Sequence, residues 1–446
     1  MSLKKTSYPD YKMFKAIYSS KELEISEIVE SVKYQKRPFD DETTEQVKQI
    51  VNEVSLNGDQ AIKSYCGKFD NLDISSIDDL KIDPKEIEGS IEKIDKDIYK
   101  SLKRSYKRIF DFQKSLLHPE NKLKNITRRN IPVENVLIYI PGGKASYPST
   151  VLMAAAPAKA AGVNQIILTS PSSEKSLNPI VLAAAYLAGI EEVYCLGGAH
   201  AIAGFVFKNN SLPNVDKVVG PGNKYVTEAK RQVYGSAGID LIAGPSEILI
   251  LGDKHTDPYS TALDLMAQAE HDEEACSILV SLNQEFSKEV ENIIGTEVKK
   301  LERKDIIKKS LSSNGFIVNL GSIEEAIEFS NQLAPEHLHI KLNDPNSIAD
   351  EFKYAGTVLI GEESANAISD YALGPSHILP TSGSARFSSQ LSVEDFLVHP
   401  TSVTLDQEEM KKDYYDLLED TMILSEAEGL SAHSLSASYR LKKIKG

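Results

Sequence analysis

Residues 135–143 read Asn-Val-Leu-Ile-Tyr-Ile-Pro-Gly-Gly. The run Val136–Ile140 is too short for a stable helix and apolar at every position, as expected of a strand buried on both faces. Outward from it the pattern repeats. Gln165–Leu168, Glu192–Leu196 and Lys217–Val219 are similar short runs. A second series passes through Glu247–Leu251, Ser277–Ser281, Phe316–Asn319, Leu338–Lys341 and Thr357–Ile360. Strands separated by helical stretches of roughly 10–15 residues imply βαβ units and parallel sheets. The chain is therefore expected to be α/β, with two Rossmann-like domains.

The flanks read differently. Before about residue 40 the chain resembles an arm carrying a short amphipathic helix, Lys21–Val32. Ile87, Ile91, Ile94, Ile98, Leu102, Ile109 and Leu116 then recur at mostly helical steps. After Leu391 the strand–helix alternation stops, and Asp406–Ala427 reads as a charged terminal helical segment. A helical N-terminal arm and a small C-terminal helical segment thus bracket the two α/β domains.

Composition narrows the function classes. Of 446 residues 41% are hydrophobic and 26% charged, as in an ordinary globular chain. Lys plus Arg is 50 against 65 for Asp plus Glu, a net charge of −15 that disfavours nucleic acid and anionic membranes as partners. No apolar run reaches the roughly 18 residues of a membrane span, and residues 1–10 contain no signal-peptide core. Cys66, Cys195 and Cys276 are odd in number and widely spaced. They fit neither a disulfide framework nor a zinc finger, and read as buried thiols of a cytoplasmic protein.

In open α/β sheets ligands bind at the carboxyl ends of strands. Four glycine-rich stretches stand out: Pro141–Gly143, Gly197–Gly198, Gly220–Asn223 and Gly244–Glu247. None completes a G-x-G-x-x-G fingerprint, so for any one of them alone a tight turn at a strand end is the preferred reading. The nine histidines carry more information. Gln268 and His271 stand three apart at the end of a helical stretch, Thr261–His271, and could share a metal. Glu336 and His337 stand at a strand mouth after Pro335, two proton carriers of different basicity. Asp370 and His377 belong to a polar loop following the strand near Gly361, and His433 lies almost at the C-terminus. Gln, His, Asp and His together make an N2O2 set suited to zinc or a similar divalent ion. Spacing alone reaches an α/β protein with a divalent metal and a Glu/His acid–base pair, and does not supply the reaction.

Longer motifs do. The stretches IPGGKASYPSTVLM (Ile140–Met153), GPGNKYVTEAKRQV (Gly220–Val233) and IDLIAGPSE (Ile239–Glu247) occur in that order. They are followed by DLMAQAEHD, LAPEHL, SDYALGPSHILPT, ARFSSQLSV and EGLSAH (Glu428–His433). Over nearly its whole length the chain resembles the histidinol dehydrogenase family. The resemblance implies oxidation of L-histidinol to L-histidine through bound L-histidinaldehyde with two NAD, the last step of histidine biosynthesis. It implies one zinc per subunit held by Gln268, His271, Asp370 and, from the partner of a tail-exchanged homodimer, His433. It implies substrate contacts from Ser246, His377 and Glu428 besides the ligands and His337. Tyr139, His200 and Asn223 fall at the positions expected to contact NAD. His337 would serve as general base in both oxidations, and Glu336 would activate the water that hydrates the aldehyde. An imidazole near its usual pKa of ~6.5 suits that repeated role.

Two positions depart from the family pattern. His200 stands where glutamine is usual, and Ser369 replaces a glycine before Asp370. The expected organisation is an arm at 1–35 and a discontinuous substrate and zinc domain at 36–138 with 246–391. An NAD-binding domain at 139–245 and a tail at 392–446 complete it. A related zinc and NAD dehydrogenase of another small alcohol, and a zinc-dependent hydrolase that binds no nucleotide, are the alternative readings.

Overall fold

The computed structural model describes residues 13–33, 40–123, 125–142, 147–405, 410 and 412–445. Gly143, and residues 406–409 and 411 of the expected terminal helix, lie outside the described residues. The chain forms two compact units, Met1–Leu117 with Val133–Phe396, and His118–Pro132 with Leu397–Gly446.

The first unit contains two all-parallel sheets. In the five-stranded sheet the order is Glu192–Cys195, Gln165–Ser170, Asn135–Tyr139, Lys217–Val219, Gly238–Ile239. In the six-stranded sheet it is Ala16–Ser19, Phe316–Asn319, Cys276–Ser281, Glu247–Gly252, His337–Ile340, Thr357–Ile360. Leaving aside the arm strand, both sheets run outward from their first strand in one direction and then in the other. That reversal is the switch point of doubly wound folds. Every strand run anticipated in the two series is present, with ends shifted by a residue or two.

Apolar alternation is absent from these strands because helices cover both faces. Leu137, Ile167 and Val218 face a core shared with helices Asp41–Tyr65 and Gly198–Val206, and Ile138, Ile166 and Leu168 face Pro148–Ala161 and Pro179–Leu187. The six-stranded sheet is covered likewise, Leu249, Ile278 and Val318 on one face and Ile248, Leu279 and Ile317 on the other. Each such side chain contributes about 1.5–3 kcal/mol over an exposed one.

Three details differ from the sequence expectation. The arm is not only helical: Ala16–Ser19 adds a parallel strand beside Phe316–Asn319 before helix Ile25–Lys33 begins. Four residues paired with a strand three hundred positions away leave no local signal. Helix Pro258–Ala269 starts at Asp257, whose carboxylate caps Tyr259 N and Ser260 N, and ends before His271. Asp370 lies not in a loop but on a short helix, Asn366–Tyr371.

The second unit is built from antiparallel pairs and a helical hairpin. Ile126–Arg128 pairs with Asn121–Leu123 and with Thr401–Val403, and Ile131–Pro132 pairs with Leu397–Val398. Helices Lys412–Ala427 and Ser431–Lys445 are joined by a turn in which Gly429 has φ +74°. Glu426 accepts a hydrogen bond from Ser434 across that turn.

Candidate active site

The two sheets of the first unit meet at a cleft of about 740 Å³. From the five-stranded sheet it takes loops at the carboxyl ends of strands, Pro141–Gly142 and Gly220–Asn223. From the six-stranded sheet it takes the amino ends instead, Gly244–Ser246 before one strand and Glu336–His337 at the mouth of its neighbour. The carboxyl-end rule therefore finds only half of this site.

His337 and Glu336 are buried, and both are held by one residue of the adjacent strand. His337 Nδ1 lies 3.0 Å from the Glu247 carbonyl oxygen. A carbonyl only accepts, so Nδ1 carries the proton, and in the neutral ring Nε2 is the basic atom. Nε2 has no hydrogen-bond partner and faces Asp370 Oδ1 at 3.6 Å. Glu336 Oε2 accepts from the Glu247 amide at 2.6 Å. Burial pushes the Glu336 carboxyl up to about 8, against the pull of His337 and the Glu247 N–H. Burial acts on His337 in the opposite sense, but Glu336 and Asp370 outweigh it and raise the imidazole to about 9. The expected ordinary imidazole is thus replaced by one biased toward its charged form. A divalent cation on Asp370 would oppose that bias by taking up its charge.

Around this pair the structure gathers the other expected side chains. Gln268, 1% exposed, accepts from Asn366 Nδ2 at 3.3 Å and leaves its own Nε2 without a partner. His271 follows the end of the same helix, its amide bonded to Gln268 O and its carbonyl to Arg303. Burial, reinforced by His337 and Arg303, holds His271 below the usual histidine range despite Asp370. Burial would raise Asp370, yet His337, His377 and His271 bring it below the usual carboxylate range. His377 donates through Nδ1 to the Asp370 carbonyl at 2.8 Å, leaving Nε2 to accept from Thr150 at 3.1 Å. Burial lowers its pKa as well. Ser246 lines the cleft beside them. Glu428 and His433 are exposed on the hairpin of the second unit.

A sequence profile of histidinol dehydrogenase matches residues 34–441. The chain is 41% identical over 407 residues to a histidinol dehydrogenase of Hydrogenovibrio crunogenus, covering 90% of this chain and 93% of that one. It is 40% identical over 416 residues to that of Carboxydothermus hydrogenoformans, covering 92% and 96%. The crystal structure of histidinol dehydrogenase from Elizabethkingia anophelis superposes with a TM-score of 0.88 at 31% identity, over 98% of this chain and 99% of that one. The chain belongs to the histidinol dehydrogenase family.

The donor chemistry suits the zinc associated with the histidinol dehydrogenase family by resemblance. His271 is held neutral, the form that binds metal, and Asp370 is held ionised. Gln268 supplies an amide oxygen with a second lone pair besides the one that accepts from Asn366. Among the described residues the one compact group of three His, Cys or carboxylate donors lies elsewhere: Cys66, Asp70 and His200, with donor atoms within 4.8 Å of one another.

On the side of the five-stranded sheet, Asn223 lines the cleft and caps helix Lys224–Val233, accepting from Tyr225 N and Val226 N at 3.1 Å. Gly220 has φ +109°, and a Cβ there would lie 2.2 Å from the Tyr139 carbonyl oxygen, so only glycine fits. Its amide is held by Asp240 and its carbonyl by Lys230, which pair with each other. Tyr139 and His200 are 2% and 1% exposed and do not line the cleft. The Tyr139 hydroxyl accepts from Gly198 N at 3.2 Å. His200 Nε2 pairs with Asp70 at 3.1 Å, and its Nδ1 has no partner. Sequence reading could not foresee that partner, 130 residues away. It also passed over Glu247 and Arg303; only Glu247, the last residue of IDLIAGPSE, belonged to a quoted motif.

Proposed function

We propose that this chain oxidises L-histidinol to L-histidine in two successive hydride transfers to NAD, with the aldehyde retained between them. The observation that carries the reading is the His337–Glu336 pair, two buried proton carriers fixed by one peptide segment beside Asp370. His337 takes the alcohol proton at Nε2 while Glu247 O holds Nδ1–H. Glu336 takes a proton from the water that hydrates the aldehyde, and His337 accepts the hydrate's proton in the second oxidation. Gln268, His271, Asp370 and His433 would hold zinc, which would supply a Lewis-acid anchor for the substrate. NAD, when bound, supplies the hydride acceptor. Ser246, His377 and Glu428 would grip the substrate, and Tyr139, His200 and Asn223 would serve the NAD half built on the five-stranded sheet. The burial of His200 argues that its contribution passes through the Gly197–Gly198 turn.

A homodimer with exchanged tails would bring His433 and Glu428 to the partner's cleft. What supports it is the hairpin's surface: Ile423, Leu424, Leu435 and Tyr439 are each more than 60% exposed, apolar area that a subunit contact would bury. Cys66, Cys195 and Cys276 are all buried, as suits thiols of a reducing cytoplasm. No described helix is long and apolar enough to cross a membrane. The deciding measurement is NADH formed per histidinol consumed. Two are expected; one, with aldehyde released, would contradict the proposal.

A further inference from the structure

Glu247 exchanges no proton in the chemistry above, yet each of its three polar groups serves the site. It opens the strand Glu247–Gly252, whose parallel register sets Ile248 opposite His337 and so brings Glu247 alongside Glu336. Its amide donates to Glu336 Oε2 at 2.6 Å, and its carbonyl accepts from His337 Nδ1 at 3.0 Å. Both catalytic side chains are therefore aimed by the two peptide planes that flank one α-carbon.

The side chain is the unexpected part. At 1% exposure a carboxylate costs several kcal/mol unless it is bonded, and a strand otherwise filled by Ile-Leu-Ile-Leu needs no acid at its first position. Its Oε1 accepts from the Ser382 amide at 2.8 Å. Ser382 has φ +56° and precedes Gly383 at φ +80°, a tight turn in the left-handed region that a side chain disfavours. The turn is tied back to the strand's approach a second time, because Gly244 N donates to Thr381 Oγ1 at 2.6 Å. The Glu247 side chain thus bridges a conformationally costly turn to the peptide planes that orient the catalytic pair.

Building on the acid–base roles given above, we propose that Glu247 is a positioning residue that sets Glu336 and His337 together, its carboxylate fixing its own main chain through the Ser382 amide. Truncation frees both planes at once. A misplacement near 1 Å commonly costs about 10²-fold in rate, and it falls on every step that uses either residue.

The test measures histidinol oxidation and histidinaldehyde oxidation separately in zinc-loaded Glu247→Ala, Glu247→Asp and Glu247→Gln. Glu247→Ala is expected to lower kcat of both steps about 10- to 100-fold, with both Michaelis constants and the zinc content unchanged. Glu247→Asp, one methylene too short to reach Ser382, should match it. Glu247→Gln keeps an oxygen that accepts from Ser382 and should recover the alcohol step to within a few-fold of wild type, a rescue that a general packing role would not give. Wild-type kcat in folded Glu247→Ala overturns the proposal. So does Glu247→Gln as damaged as Glu247→Ala, or a loss confined to the Michaelis constants. Parallel Glu336→Gln and His337→Asn controls separate the two levels. If those controls are fully active, the acid–base assignment fails and the proposal falls with it; if they are inactive while Glu247→Ala is normal, only the proposal fails.

Discussion

Replacing Glu336 by glutamine should remove activity and, in alkaline solution, stabilise the metal-free protein. The sign follows from proton linkage. Glu336 is raised in the folded state from 4.5 to about 8, so between those values the folded form holds a proton that the unfolded form has released. Stability from this group is complete below 4.5 and is lost as pH rises through 8. At 1.36 kcal/mol per pH unit that interval amounts to about 5 kcal/mol. His337, raised from 6.5 to about 9, shares the same attraction, so its contribution is not added. Glutamine is neutral throughout and can still accept from the Glu247 amide. With an unfolding entropy of about 2 cal/mol/K per residue over 446 residues, 5 kcal/mol corresponds to a midpoint difference of about 5 °C. Scanning calorimetry of chelator-treated wild type and Glu336→Gln at pH 5 and pH 9 provides the assay. The two should melt together at the lower pH, and the variant should melt several degrees higher at the upper one. A difference that stays flat, or favours the wild type at pH 9, refutes the placement of a buried, raised carboxyl here.

His337→Asn should slow alcohol and aldehyde oxidation alike, whereas Glu336→Gln should hurt the aldehyde step more, by about 10²–10⁴-fold; equal damage from Glu336→Gln in isolated half-reactions would contradict the assigned roles. Prolonged chelation should abolish turnover and zinc restore it, and full activity in a preparation shown by elemental analysis to be metal-free would count against the ligand set. Lys230→Met should cost about 3–5 kcal/mol by leaving Asp240 buried without its ion pair. Adding Asp240→Asn should recover most of that loss in urea unfolding, and an undiminished loss in the double variant would reject the clamp on Gly220. Co-refolding Glu336→Gln with His433→Ala should return roughly a quarter of wild-type activity if tails are exchanged, because half of the dimers are mixed and each has one intact site; no recovery with mixed dimers present would rule exchange out.

Legibility depended on how local each signal was. Strands such as Ile248–Leu251 and Ile278–Val280 are buried on both faces, so their nature is written in consecutive residues. Helix Asp41–Tyr65 was not anticipated, although its buried residues Val47, Ile50, Val51, Val54, Ala61, Ile62 and Tyr65 keep a helical period on both sides of the kink at Gly58, φ 52°. In the site, Glu336, His337, Gln268, His271 and Asp370 were visible because their chemistry lies in the side chain and the motifs mark them. Glu247 was not, since it acts on the pair through an amide and a carbonyl that every residue possesses. His200 was read as a nucleotide contact from its position, but its orientation is set by Asp70 on a distant element.

The cleft has one further property, which belongs to the main chain alone. Helix Lys224–Val233 enters it by its amino terminus at Asn223, while helix Pro258–Ala269 enters by its carboxyl terminus near Gln268 and His271. The first presents about half a positive charge and the second about half a negative one. Anions are favoured at one end and cations at the other, each by about 0.3–1 kcal/mol. An elongated guest with a phosphate at one extremity and a cationic centre at the other therefore encounters a polarised channel. Reversing it would exchange two favourable macrodipole interactions for two unfavourable ones, so the direction of entry is chosen before any side chain makes contact.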